Sequence, residues 1–270
     1  MTNTIVFADL DFALLRTVVP RLHAVNVPLI PMTAMTLEEM IPIADELHLR
    51  PAMIIESGGG IARWKGTSWE LEPCGLAADL LLDVVREIED RTGASLSVHS
   101  VMPGSMPRSF SEPFSIETGD PDDVMIAAAS LGFSVVRGDR LLHLNRPCDE
   151  GTAFTRLRNE LRCDVAIAIG DSPLDADLLM RAEIPIILSR ADGPDPDLLA
   201  RAPHAFITPV SALQECLDAI IASIQGGRDG SSVHALATDP RVRGAGLHRQ
   251  QHSVDGFSGV AQQGLRPRAR

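Results

Sequence analysis

The 270-residue chain carries 36 acidic against 24 basic residues, a formal charge of −12, with 45% hydrophobic residues. That suits one large or two modest globular domains and argues against a general nucleic-acid or anionic-membrane surface, so an anionic substrate needs a local positive site. Cys74, Cys148, Cys163 and Cys216 are widely spaced with no CxxC pair, suggesting neither a zinc site nor a disulfide framework, and no basic leader or membrane-length apolar run is present, so a cytoplasmic location is the default expectation.

Thr4 to Ala8 is a short apolar run that reads as a buried parallel strand, and it ends in Asp9-Leu10-Asp11. Open α/β sheets bind ligands beyond the carboxyl ends of their strands, which puts both carboxylates at a candidate site mouth. Paired desolvated carboxylates need a cation or a shared proton between them, and Mg²⁺ suits hard oxygen donors. With a phosphate ester present, one carboxylate can attack phosphorus while the other handles the leaving-group proton. The plainer alternative is that Asp9 caps the next helix and Asp11 is a solvated loop residue.

Val18 to Val25 is expected to be a short helix and Leu29 to Met32 a second strand ending at Thr33. Thr36-Leu37-Glu38-Glu39 has the spacing of a capping box and starts a helix to about Leu47. Ala52 to Ile55 is expected as a third parallel strand, followed by Glu56-Ser57-Gly58-Gly59-Gly60 and a hairpin over 61–71.

From about Pro73 a different pattern begins: a helix over 76–92, strands over 96–101 and 110–116, a helix over 122–131, and a hairpin turning at Gly138-Asp139. The first pattern then resumes with a helix over 150–161, the apolar strand Val165 to Ile169, and Gly170-Asp171-Ser172-Pro173-Leu174-Asp175. A helix over 173–181, strands over 184–188 and 205–207, and helices over 195–201 and 211–224 complete it. The fold class expected is α/β, a doubly wound parallel core (residues 1–73 and 147–225) with an inserted α+β cap (74–146). Residues 226–270 lack apolar periodicity and carry seven arginines against three aspartates, so the tail is +4, the remainder is −16 and the total is −12; the tail is expected to be disordered.

Asp9-Leu10-Asp11, Thr33 after a strand, and Gly170-Asp171 with Asp175 together resemble the haloacid dehalogenase superfamily of aspartate-nucleophile phosphatases. Within it, Arg108-Ser109-Phe110-Ser111-Glu112-Pro113-Phe114 and the Arg137 to Leu144 hairpin resemble the cap of the mannosyl-3-phosphoglycerate phosphatases. The resemblance spans residues 4–224. It implies a Mg²⁺-dependent phosphomonoesterase in which Asp9 forms the aspartyl-phosphate and Asp11 is the acid and base. The metal would lie among Asp9, the Asp11 carbonyl, Asp171 and Asp175. Thr33 would bind phosphate, and Arg108, Ser111, Glu112 and Arg140 would select a glycosyl-phosphoglycerate, with no nucleic-acid or membrane partner.

The sequence departs from the family at Phe12-Ala13, at Leu174, and above all at Asp149-Glu150-Gly151-Thr152-Ala153. There the family has a lysine that offsets the repulsion between nucleophile and phosphate; Glu150 reverses that charge. Arg146 is the first candidate to replace it, with Arg140 and Lys65 more remote. Two other readings stay open: a degenerate member that binds a phosphorylated metabolite or a protein partner without turnover, and a generic sugar-phosphate phosphatase.

Overall fold

The chain runs through β1 (Thr4–Ala8), α1 (Phe12–Ala24), β2 (Leu29–Pro31), α2 (Leu37–Glu46), β3 (Ala52–Ile55), β4 (Gly60–Trp64) and β5 (Trp69–Pro73). There follow α3 (Leu81–Thr92), β6 (Ser95–Val98), β7 (Ser111–Thr118), α4 (Pro121–Ser130), β8 (Ser134–Arg137) and β9 (Leu142–Asn145). It closes with α5 (Glu150–Glu160), β10 (Val165–Gly170), α6 (Ala176–Arg181), β11 (Ile184–Ser189), α7 (Pro196–Arg201), β12 (Phe206–Pro209), α8 (Leu213–Gln225) and the two-residue β13 (His248–Arg249). The computed structural model describes residues 2–74, 81–98, 108, 110–137, 141–145, 150–226 and 248–249.

The central sheet has the order β13-β12-β11-β10-β1-β2, all parallel except β13. β1 and β10 are buried along their whole lengths, and apolar but for Thr4, because both sheet faces are covered. The pleat sends alternate side chains to opposite faces. Val6 and Ala8 join one cluster with Leu15, Val18 and Leu22 of α1, Met40 of α2 and Leu217 of α8. Ile5 and Phe7 join a second cluster with Phe154 and Leu157 of α5, Leu178 of α6 and Leu198 of α7. Phe7 and Phe154 meet edge to face, with ring centroids 4.7 Å apart. This is the doubly wound α/β class expected from the sequence.

Three local expectations are corrected. The first helix begins at Phe12 rather than Val18, because the Asp11 side chain accepts a hydrogen bond from the Leu14 N–H at 2.8 Å and nucleates the turn directly after β1. β3 is not a further strand of the central sheet. It pairs antiparallel with β4 in a separate three-stranded sheet and meets the β2 side through the parallel Met32–Ile54 bridge and the Thr33 N–H bond to the Ile54 carbonyl. β2 is three residues long and ends in Pro31, which has no N–H to give to a neighbouring strand. Last, the helix expected over 173–181 is a 3₁₀ turn, Pro173–Asp175, running into α6.

The capping box is present in full: Thr36 Oγ1 accepts from the Glu39 N–H at 3.3 Å and Glu39 Oε2 accepts from the Thr36 N–H at 2.7 Å. Between β5 and α5 the described residues form an antiparallel sheet of order β6-β7-β9-β8, packed on α3 and α4 around Val85, Ile88, Phe114, Val124 and Leu144. The turn at 138–140 lies outside the described residues. Among the contacts that fasten this layer above the strand ends of the parallel sheet are two at its margins. A Cβ on Gly59 would lie 2.0 Å from Phe110 Cβ, so only glycine permits that approach. Arg137 of β8 pairs with Asp197 of α7 at 3.0 Å.

The tail expected to be without structure supplies β13, which pairs antiparallel with β12 and covers that edge. Among the described residues no helix is long and apolar enough to cross a membrane.

Candidate active site

β1 delivers Asp9 to the rim of the sheet, and the Asp9 N–H continues the ladder by donating to the Ile169 carbonyl of β10 at 3.0 Å. Asp9 therefore abuts the Gly170-Asp171 corner, although 161 positions of sequence separate the two strands where Asn3 meets Asp164. Asp9, Asp11, Thr33 and Asp171 all line one cavity of about 780 Å³, within the size range of small-molecule sites. Asp11, not Asp9, is the helix cap. One Asp11 oxygen is committed to the Leu14 N–H, while the residue is exposed at the cavity wall.

The loop after β10 is organised by Asp175, which is completely buried. Its Oδ2 accepts from the Asp171 N–H at 3.0 Å, the Ser172 N–H at 2.8 Å and the Ser172 hydroxyl at 3.1 Å. A Cβ at Gly170 would lie 2.4 Å from the Asp175 Cβ and Cγ, so the glycine makes room for the carboxyl group. The other oxygen of Asp175, Oδ1, is buried without a hydrogen-bond partner. Burial, opposed by the hydrogen bonds from Ser172 and Asp171 and reinforced by the Asp171 charge, raises the Asp175 carboxyl to about 7. Asp9 is pushed well above the usual carboxylate range, first by burial, then by Asp175 and Asp171, with Arg190 pulling it down.

Clustered carboxylates and an orphaned buried oxygen are the marks of a place that takes a cation. Among the described residues no group of three or more His, Cys, Asp or Glu side chains is arranged to hold a metal ion. Mg²⁺ does not require one, since it is held through one or two carboxylates while waters and phosphate oxygens complete its octahedron. The hard-oxygen donors Asp9 and Asp171, supported by Asp175, fit that mode.

Arg190 was not anticipated. It follows β11 directly, in a turn closed by the Gly193 N–H donating to the Arg190 carbonyl at 3.1 Å with Gly193 at φ +107°. Its Nε and Nη2 donate to Asp171 Oδ2 at 3.1 and 2.8 Å, and it lines the same cavity. The signal available in the sequence was positional: an arginine immediately after an apolar strand on the carboxylate rim.

Thr33 sits where β2 ends. Its Oγ1 accepts from the Met35 N–H at 3.1 Å, and its backbone is tied to the Ile54 carbonyl and the Ser57 N–H. Glu56 and Ser57 both have positive φ, +47° and +53°, a left-handed pair of non-glycine residues whose N–H groups donate to the carbonyls of the wall residues Met35 and Thr33. Glu56 Oε2 accepts from the Phe110 and Ser111 N–H groups at 2.9 and 3.3 Å, clamping the start of β7.

Above this wall the structure brings Arg108, Ser111 and Glu112 into one buried polar group with His143. His143 Nδ1 lies 3.4 Å from Ser111 Oγ and 3.5 Å from Ser57 Oγ, and the imidazole lines the Asp9 cavity. Burial, then the Arg108 charge, lowers His143 to about 4, so it is neutral at pH 7. Burial lifts Glu112 to about 7 against the pull of Arg108, with Glu56 adding to the rise. Arg108 hydrogen-bonds the Ala34 carbonyl and lies 3.6 Å from Glu39; its Nε and Nη2 are buried with no hydrogen-bond partner.

Glu150 does not line the Asp9 cavity. It is buried at the start of α5 and faces a neighbouring cavity of about 570 Å³ with Ser57, Pro173, Asp177 and Arg201. The charge reversal read from the sequence is thus displaced from the carboxylate rim. Lys65 pairs with Glu70 at 3.5 Å on the exposed β4–β5 hairpin and plays no part there. Arg140 and Arg146 lie outside the described residues.

No family model matches the chain. It is 25% identical over 226 residues to a glucosyl-3-phosphoglycerate/mannosyl-3-phosphoglycerate phosphatase of Persephonella marina, covering 68% of this chain and 84% of that one. To the protein of the same name from Methanococcoides burtonii it is 26% identical over 243 residues, covering 72% and 88%. Among solved structures, a sugar phosphatase of HAD subclass IIB superposes with a TM-score of 0.58 at 11% identity, covering 84% of this chain and 99% of that one. A structure described as showing a trigonal-bipyramidal intermediate in a phosphoryl-transfer superfamily gives 0.60 at 11% identity over 84% and 99%. Thermoplasma acidophilum 0175 gives 0.57 at 16% identity over 77% and 92%. These likenesses establish the architecture: a Rossmann-like α/β fold shared with haloacid dehalogenase structures.

Proposed function

We propose that this chain is a Mg²⁺-dependent phosphomonoesterase that works through an aspartyl-phosphate and hydrolyses a glycosyl-3-phosphoglycerate, the glycosyl unit being mannose or glucose. The observation that carries this reading is the meeting of Asp9, Asp11, Thr33 and Asp171, from both halves of the sequence, on one cavity. The names of the relatives in Persephonella and Methanococcoides supply the substrate class. The division is a core of residues 1–73 and 147–225 under a cap of residues 74–146.

In this scheme an Asp9 oxygen attacks phosphorus while the bond to the glycerate oxygen breaks, and Asp11 protonates that leaving oxygen. Asp11 then takes a proton from water, whose oxygen attacks the same phosphorus and releases orthophosphate and free Asp9. Thr33 donates its hydroxyl to a phosphoryl oxygen. Asp9, the Asp11 carbonyl and Asp171 would hold the metal, with Asp175 fixing the loop. When bound, Mg²⁺ offsets the carboxylate charge and polarises the phosphoryl oxygens.

Arg108 presents two buried N–H-bearing atoms without hydrogen-bond partners, a deficit that the carboxylate of a glycerate moiety would relieve. Ser111 and Glu112 take part in selecting glycerate and sugar; Arg140, for the same role, and Arg146, as a further candidate partner of the phosphate, lie outside the described residues. The non-catalytic reading draws on one observation: among the described residues no lysine lines the Asp9 cavity.

Phosphate release from a panel of phosphoesters, including glucosyl- and mannosyl-3-phosphoglycerate, with and without Mg²⁺ and beside Asp9→Asn, tests the proposal. Mg²⁺-dependent release that vanishes in Asp9→Asn supports it. Release that survives Asp9→Asn, or none from any ester, refutes it.

A further inference from the structure

A carboxylate that must accept a phosphate dianion faces repulsion from the start, and here three carboxylates crowd the rim. Some fixed positive charge has to stand in the cavity. Among the described residues, Arg190 is the only arginine or lysine that lines it. We infer that Arg190, held beside Asp171 at the end of β11, is the guanidinium that receives the phosphoryl group of the ester; the inference rests on the phosphatase reading and extends it.

Three features support the assignment. The Arg190 side chain is 44% exposed and its partner Asp171 24%, so the pair is too solvated to be there mainly for stability. A turn closed by Gly193 fixes the arginine's backbone at the same carboxyl rim as Asp9, Asp11 and Thr33. A planar guanidinium also suits phosphate better than an ammonium, because it offers paired donors to paired oxygens. Glu150 cannot supply this charge, and it faces the adjoining cavity. Arg190 thus meets locally the need for a cation that the overall −12 charge leaves open.

The test compares Arg190→Ala, Arg190→Lys and wild type in two assays on the full chain. For phosphoester turnover, Arg190→Ala should lower kcat/KM by ~10²–10³-fold, the cost of removing one preorganised donor from a transition-state oxyanion. Arg190→Lys should retain part of that loss, and added guanidinium should partly rescue Arg190→Ala. For binding, orthophosphate titrated by calorimetry should weaken by about 10-fold or more in Arg190→Ala, as expected for a lost hydrogen bond to a charged group. Equal turnover and equal orthophosphate affinity in Arg190→Ala and wild type would overturn the inference. So would equal losses in Ala and Lys with no guanidinium rescue, which would assign the residue to orienting Asp171 alone. If wild type releases no phosphate from any ester, the phosphatase reading falls, and the orthophosphate titration still decides Arg190 by itself.

Discussion

The proposed scheme gives Asp11 two jobs that substitution can separate. Its Oδ1 accepts the Leu14 N–H at 2.8 Å and caps α1, while the carboxyl group lies on the wall of the Asp9 cavity. Asparagine keeps a side-chain oxygen at that place and ranks with aspartate as a cap, but it cannot carry a proton to and from a leaving group. Asp11→Asn should therefore leave the thermal midpoint within about 1 °C of wild type while turnover falls by roughly 10²–10⁴-fold. Asp11→Ala loses both functions: the same fall in turnover, and about 1 kcal/mol of stability for the lost cap, a shift of about 2–4 °C for a chain of this size. The assays are phosphate release and a differential scanning or chemical melt on three proteins. Full activity in Asp11→Asn would show that the residue only caps the helix, and a melt of Asp11→Asn as low as that of Asp11→Ala would refute the capping account.

Thr33→Val should cut kcat/KM by about 10–100-fold, from one hydroxyl bond to a charged oxygen, with phosphate release as the readout. Gly170→Ala puts a methyl group 2.4 Å from the Asp175 carboxyl and should cost about 1–3 kcal/mol in a denaturant melt along with most activity. Glu112 has a folded pKa of about 7 against an ordinary 4.5, so the folded state keeps a proton that the unfolded chain releases, and stability falls as pH rises between those values. Glu112→Gln removes that slope and should stabilise the protein above pH 7 relative to wild type, as melts at pH 4.5, 6 and 8 will show. His143 acts with the opposite sign: held near 4 against an ordinary 6.5, it makes the native state lose stability as pH falls through that window, and His143→Gln should flatten the acid limb of the same melts.

The strand ends were legible because buried parallel strands leave an unmistakable apolar run, and both Thr4–Ala8 and Val165–Gly170 do so. Asp9, Asp11 and Asp171, from the two acidic corners that follow them, line one cavity, and the Thr36–Glu39 capping box is readable from its spacing alone. α1 was cut short because Phe12-Ala13-Leu14-Leu15 looks like a continuation of a loop until the Asp11 cap is seen to start the helix. β3 was assigned to the wrong sheet because a run of four apolar residues is the same in parallel and antiparallel settings; its partner is decided by the hairpin that follows. Arg190, His143 and Glu56 escaped notice for a common reason. Each acts through neighbours distant in sequence, and a single arginine, histidine or glutamate carries no local periodicity to mark it. Glu150 lines the adjoining cavity, a placement set by where α5 starts and not by any spacing in the sequence.

β1 lies between β2 and β10, yet β10 lies more than half the chain away from it in sequence. During synthesis β1 has only the short β2 to shelter its apolar flank until β10 has been made. Such distant pairing is slow to close and leaves sticky surface in the open meanwhile. The parallel sheet therefore cannot close before residue 170 is in place, and a chain that stops within the inserted layer lacks the Asp171 corner of the cavity.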